Sequence, residues 1–256
     1  MTADILQHHE QGVLTLTFNR LERKNSITLA MYGALADALE QSAGDAATRA
    51  VVIQGHETVF SAGNDIEDFL GNRRPAGPDA PAFRFLRAMA AFPKPLLAAV
   101  CGPAVGIGTT LLFHCDLVYA GDNAAFSMPF VNLGLCPEAA SSLLVPRMFG
   151  YHRAAQALLL GDPFMAEAAL EAGLVNRVVA PSECNALAQA QARKLAAKPL
   201  SSLTATKQLM KSSQQAAVLR QMDEEREHFT RLLATPAARE AMTAFMEKRK
   251  PDFSQS

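Results

Sequence analysis

Residues 95–116 read PLLAAVCGPAVGIGTTLLFHCD. Pro93 and Pro95 punctuate the chain just ahead of Leu96–Val100, five apolar residues with the length of a strand and no polar alternation. A strand of that kind is covered on both faces, the habit of parallel sheets flanked by helices. A glycine-rich turn with Gly106 and Gly108 follows, then a helical stretch through Leu111 and Leu112, then an apolar strand at 117–120. Strand, turn, helix and strand in that order predict an α/β fold.

The same order continues on both sides. Val13–Phe18 (VLTLTF) alternates apolar and Thr positions between Gly12 and Asn19, a half-buried strand and the first element expected. Thr28 is the expected N-cap of a helix in which Leu29, Tyr32, Leu35, Ala36 and Leu39 recur at helical spacing. Residues 50–53 (AVVI) read as the next strand and 83–92 as another helix. Residues 72–81 (NRRPAGPDAP) mix Pro, Gly and charge and read as a surface loop inside one domain. Beyond Val179 the composition turns helical: 181–198, 200–210, 216–233 and 237–248 read as four amphipathic helices, broken at Pro199 and Pro236. Their apolar stripes must bury against the core of the same chain or against another subunit. No internal sequence repeat is apparent.

Composition bounds the rest. The chain has 256 residues, 49% of them hydrophobic and 19% charged, enough to fill a substantial core and too apolar for disorder. Its 24 basic and 25 acidic residues leave a net charge of −1, without the electrostatic footprint of a nucleic-acid binder. The opening MTADILQHHEQG has neither a basic n-region nor an apolar h-region, and no apolar run reaches membrane-spanning length, so a soluble, cytoplasmic protein is expected. Cys101, Cys115, Cys136 and Cys184 are scattered without a CxxC pair and are expected to be reduced. The six His form no metal-ligand spacing with Cys or carboxylates, so no metal is expected.

Three segments could carry chemistry. Residues 60–66 (FSAGNDI) place small residues and Gly63 where a ligand can approach the backbone, although these residues alone favour a tight turn with Asp65 capping the next helix. In the second segment Gly106 and Gly108 suggest a dinucleotide fingerprint, but Leu111 stands where its third Gly belongs, and no Gly-Lys-Ser/Thr follows for a phosphate loop. What remains is a helix N-terminus with a free amide near Ile107, which with an amide at Asn64 would make a two-donor hole for an oxyanion. In the third segment, FSMPFVNLGLCPEAASSLLVPRM (126–148), Glu138 is the one acid. Desolvation would raise its pKa toward the range of a general base; a solvated Glu after Pro137 in a helix's first turn is the bland alternative. His114 reads as a packed residue.

Together these segments resemble the enoyl-CoA hydratase/isomerase family, the crotonase superfamily. The AG-x-D-I signature is met by Ala62, Gly63, Asn64, Asp65 and Ile66, a KP-x-x-A-A-V-x-G-x-A-x-G pattern by residues 94–106, followed by Cys115 and Asp116, and a late A-x-E-A-x-x-x-G-L-V-x-x-V-V segment by residues 166–179. The resemblance spans roughly residues 13–253. It implies a spiral of repeated ββα units, here residues 1–198, with a C-terminal helical trimerisation region at 199–256, assembled as a homo-trimer or homo-hexamer. It implies acyl-CoA thioester substrates and an enolate held by two backbone amides, here Asn64 and Ile107. The substrate- and CoA-binding residues it implies are Arg23, Lys24, Ser61, Ala62, Gly63, Asn64, Asp65, Ile66, Gly106 and Ile107, with Lys248 and Arg249 reaching toward a neighbour's CoA. No cofactor beyond the CoA of the substrate is implied.

The departures choose a branch. The family's hydratases use two glutamates, and the matching positions here are Thr110 and Phe130. The chain instead resembles the peroxisomal-type Δ3,Δ2-enoyl-CoA isomerases, whose LG-x-x-PE-x-x-SS pattern is met by Leu133, Gly134, Pro137, Glu138, Ser141 and Ser142. That resemblance implies an isomerase moving a double bond of 3-enoyl-CoA to 2-enoyl-CoA in fatty-acid β-oxidation, with Glu138 as its base. The chain ends Phe253-Ser-Gln-Ser, not in a Ser-Lys-Leu address. The alternatives are a 2-enoyl-CoA hydratase and a non-catalytic acyl-CoA-binding protein.

Overall fold

The computed structural model describes residues 3–67 and 80–254, so the expected loop at 72–81 lies almost wholly outside the described residues. Among the described residues nine strands form two sheets: β1 (Ile5–Glu10), β2 (Val13–Phe18), β3 (Ala50–Gln54), β4 (Leu96–Val100), β5 (Pro103–Val105), β6 (Leu117–Gly121), β7 (Ala125–Ser127), β8 (Phe164–Met165) and β9 (Arg177–Val179). The larger sheet runs β1-β2-β3-β4-β6-β9 and the smaller β5-β7-β8. From β2 to β9 the larger sheet is parallel, in the register Ile53 to Ala98 and Ala98 to Val118. Val13–Phe18 is not the first element. β1 precedes it, antiparallel at the sheet edge, and escapes a periodicity reading because only Ile5 of ILQHHE is buried.

Twice a strand of the larger sheet passes at once into a strand of the smaller one and then into a helix. The first unit is β4, β5 and the turn of helix Ile107–Thr110; the second is β6, β7 and the helix Ser141–Phe149. These are the ββα units of the expected spiral. One face of the larger sheet is covered by helix Leu29–Gly44, which Thr28 caps by accepting from Met31 N, and by helix Pro81–Ala91. On the other face lies Pro181–Ala196, whose Ala188, Ala192 and Ala196 lie four residues apart and bring it close to Val52, Leu97 and Ala99.

The two helices expected at 200–210 and 216–233 are one helix of 34 residues, Leu200–Leu233. The intervening KSSQQ contains no Pro or Gly, so nothing in the chain stops the helix. Its second half buries Val218, Met222 and Phe229 in the main core, while Leu209 and Met210 near its start are exposed. Pro236–Met246 follows and buries Ala238 and Met242 in the same core. All four cysteines are free. Among the described residues no helix is long and apolar enough to cross a membrane.

Candidate active site

Two turns meet at the head of the parallel strands. The 61–64 turn lies beside β5: Ser61 N donates to Pro103 O and Val105 N donates to Ser61 O, at 3.0 and 2.9 Å. The approach is so close that a Cβ on Gly63 would sit 2.8 Å from Val105 O, and Gly63 holds φ at +88°, in the region that favours glycine. The turn is also tied to residues 24–27. Ala62 N donates to Lys24 O, Ile27 N to Gly63 O and Asp65 N to Ile27 O. These bonds use the groups on either side of Asn64 and leave its own amide out. On the second turn Gly106 N donates to Ser127 O, and Ile107 begins a helix, where the first amides have no intrahelical acceptor. Neither Asn64 N nor Ile107 N has a hydrogen-bond acceptor among the described residues. Such a pair can stabilise a negative oxygen.

A cavity of about 300 Å3 opens at these turns. It is lined by Ala62, Gly63, Asn64, Val105 and Gly106 of the two turns, by Phe130, Leu133 and Leu135, by Phe229, Met242 and Phe245 of the C-terminal helices, and by Arg249 beyond the last helix. Arg249 therefore lines its own chain's cavity, where its guanidinium is gripped by Glu240 and Glu247.

Glu138 is 7% exposed and sits just before helix Ser141–Phe149, not in a solvated first turn. Burial pushes its carboxyl up to about 8, with the charge of Glu225 acting in the same direction, while a hydrogen bond from Thr110 Oγ1 at 2.5 Å holds it down in part. A carboxyl titrating there can both take and return a proton near neutrality. Thr110 lies three residues after Ile107 on the same short helix, so that helix links the free amide to the carboxyl. Glu138 is not on the wall of the 300 Å3 cavity. It faces a cleft of about 10 Å3 shared with Phe83, Leu86, Met222 and Arg226.

The remaining expected site residues fall into three groups. Ser61 and Asp65 are occupied with structure. The Ser61 hydroxyl donates to Asn25 O and accepts from Gly63 N. Asp65 is buried, which alone would raise its pKa, but hydrogen bonds and charge from Arg20 at 2.6 Å and a bond from Ser26 outweigh that and hold it below the usual carboxylate range. Ala62, Gly63, Asn64, Ile66 and Gly106 line the cavity. Arg23 and Lys24 are exposed beside it in sequence, Arg23 paired with Glu67 at 3.2 Å and Lys24 holding Ala62 through its carbonyl. Tyr32, whose hydroxyl donates to the Asn64 side chain, and the Arg20–Asp65 pair carry no spacing signal in the sequence. Among the described residues no group of three or more His, Cys, Asp or Glu could hold a metal ion.

Two backbone amides without an acceptor on a ββα spiral, with a buried carboxyl hydrogen-bonded to a threonine one helical turn on from one of them, are an arrangement able to hold an enolate. The chain belongs to the enoyl-CoA hydratase/isomerase family, whose sequence model matches residues 8–256. It is 39% identical to the 1,2-epoxyphenylacetyl-CoA isomerase of Escherichia coli, over 98% of both chains. It is 37% identical to enoyl-CoA delta isomerase 2 of Rattus norvegicus, over 96% of this chain and 64% of that one. The solved structure of OdaA from Pseudomonas aeruginosa superposes with a TM-score of 0.93 at 45% identity, covering 96% of this chain and 99% of that one.

Proposed function

We propose that the protein is a Δ3,Δ2-enoyl-CoA isomerase acting in fatty-acid β-oxidation. The observation that carries this reading is the buried Glu138 carboxyl with its raised pKa, with Thr110 and Phe130 standing where the hydratases' two glutamates belong. The carboxylate of Glu138 takes the C2 proton, and the electrons of the C2–H bond delocalise through the C3 double bond and the thioester. The resulting dienolate oxygen is held by Asn64 N and Ile107 N. The protonated Glu138 then returns the proton at C4, leaving the double bond between C2 and C3. One group serves as base and then as acid, and the thioester supplies the delocalisation.

Hydration asks more of a site. A water must be placed and deprotonated while C2 is protonated, and the hydroxyl of Thr110 and the ring of Phe130 do neither acid's work at neutral pH. The similarity to a relative named as an enoyl-CoA delta isomerase supports the same choice, although 34% identity to a 2,3-dehydroadipyl-CoA hydratase of Escherichia coli keeps hydration as the rival. A homo-trimer or homo-hexamer fits the exposure of Tyr151, Leu159, Leu160, Met165 and Leu170 within twenty residues.

A spectroscopic assay offering 3-enoyl-CoA and 2-enoyl-CoA separately tests the reading. Formation of the conjugated thioester from the first, with no loss of conjugation from the second, is expected. Rapid loss of conjugation from 2-enoyl-CoA would establish a hydratase, and binding of both without turnover a non-catalytic acyl-CoA protein.

A further inference from the structure

The turn that carries Glu138 is held in an unusual way. Ala139 and Ala140 both adopt left-handed backbone conformations, φ +63° and +56°, which alanine visits reluctantly. Two consecutive residues of this kind persist only where their surroundings fix them. Three groups do so here. His114 Nε2 contacts Ala139 O at 2.7 Å, and because burial drops the imidazole pKa to about 4 the ring is neutral and donates. The Ser141 hydroxyl donates to Glu138 O at 2.6 Å. The third is Glu225, 4% exposed on the long helix. Its Oε2 accepts from Ala140 N at 2.6 Å, and its Oε1 accepts from Ser142 N at 2.9 Å and from the Ser142 hydroxyl.

Glu225 thus does what an N-cap residue normally does for helix Ser141–Phe149. The true cap, Ala140, has no side chain able to accept, and the acceptor arrives from 85 residues away. Three donors aimed at one carboxylate make a site that a neutral side chain satisfies only in part.

We propose that Glu225 is a positioning residue for the base: by accepting the amides of Ala140 and Ser142 it fixes the left-handed Ala139–Ala140 turn and with it the direction of the Glu138 carboxyl. This rests on Glu138 being the base. Glu225 also acts on Glu138 through charge. The groups around Glu138 are Thr110 from the short helix, Arg87 from Pro81–Ala91, Asp223 and Arg226 from the long helix, and Cys136 on its own loop. Glu225 is the charged neighbour that raises the Glu138 pKa, with Glu224 and Ser142 in turn acting on Glu225. A helix cap with no other role would stabilise the fold without moving the titration of the base.

The test compares wild type, Glu225→Gln, Glu225→Gln with Ala140→Gly, and Glu138→Gln, assayed on 3-enoyl-CoA from pH 5 to 9, with thermal unfolding of each. For Glu225→Gln the expected result is a plateau kcat lower by ~10- to 100-fold, as for a reacting group displaced by a fraction of an ångström, with KM within about twofold. The acid limb of its pH profile should move to lower pH, because a neighbouring negative charge is gone. Ala140→Gly adopts the left-handed conformation freely, so the double variant should recover turnover while keeping the shifted limb. Should Glu225→Gln be recovered only unfolded, the double variant is read in its place on the same limb shift. Unchanged turnover, or a loss of stability and kcat with the limb unmoved, would reduce Glu225 to a cap and overturn the proposal. Full activity of Glu138→Gln would instead overturn the assignment of the base, a distinct failure.

Discussion

The site is assembled from two kinds of turn, and they are secured by opposite means. The turns at 61–64 and 105–107 rely on glycine and on backbone bonds to neighbouring strands; Gly63 lies at φ +88°, and a side chain there would strike Val105 O. The turn after Glu138 reaches similar dihedrals with alanine, and is held by His114 and by Glu225 from distant parts of the chain. A hole that offers only amides can be written into local sequence. A base whose pKa depends on burial and on a neighbour's charge needs the finished tertiary structure around it.

Glu138→Gln should have the largest effect on turnover. It retains size and hydrogen bonding but accepts no proton, so kcat is expected to fall by at least ~10²-fold while acyl-CoA affinity changes little. Its stability should diverge from wild type with pH. The Glu138 pKa is raised in the folded chain from its ordinary value to about 8, so its contribution to stability is fully present below the unfolded value and is lost as pH rises through about 8. The Gln variant, which never ionises, should melt at a higher temperature than wild type at pH 9, with the gap closing toward pH 5. Retained turnover would move the base elsewhere and dissolve the contrast between the turns.

Gly63→Ala attacks the other turn. A Cβ 2.8 Å from Val105 O, on a residue at positive φ, forces the Asn64 amide to shift. A destabilisation of about 1–3 kcal/mol in chemical unfolding and a loss in kcat approaching ~10²-fold are expected. Wild-type kinetics in this variant would mean that the turn does not present the oxyanion donor. Thr110→Val is the mildest change. The Thr110 bond lowers the Glu138 pKa, so removing the hydroxyl should raise it, moving the acid limb of the rate profile to higher pH and lowering turnover at pH 7 by about tenfold or less.

Legibility in the sequence follows the same division. The buried strand Leu96–Val100 and the glycine turns were readable because apolar runs and Gly spacing are local signals, and the segment 60–66 pointed to Asn64 for the same reason. Glu138 stood out as a single acid among apolar and small residues, but its burial depends on Met222 and Leu86, far away in the chain. Strand β1 carries no apolar alternation because five of its six residues face solvent at the sheet edge. The long helix reads as two because KSSQQ lacks an apolar stripe, although it contains no residue that ends a helix. Glu225 was hidden in the charged run 223–228, where nothing marks it off from its solvated neighbours. Thr110 reads in the sequence as the loss of an acid and not as the hydrogen-bond donor to Glu138.

The most direct measurement is the pH dependence of kcat for the wild-type enzyme on 3-enoyl-CoA. A base desolvated as Glu138 is should give a rate that rises with pH through a single ionisation near 8 and is small below pH 6. A rate already at its plateau at pH 6, with its acid limb near the ~4.3 of an ordinary glutamate, would mean that the reacting carboxylate is solvated and is not the buried Glu138.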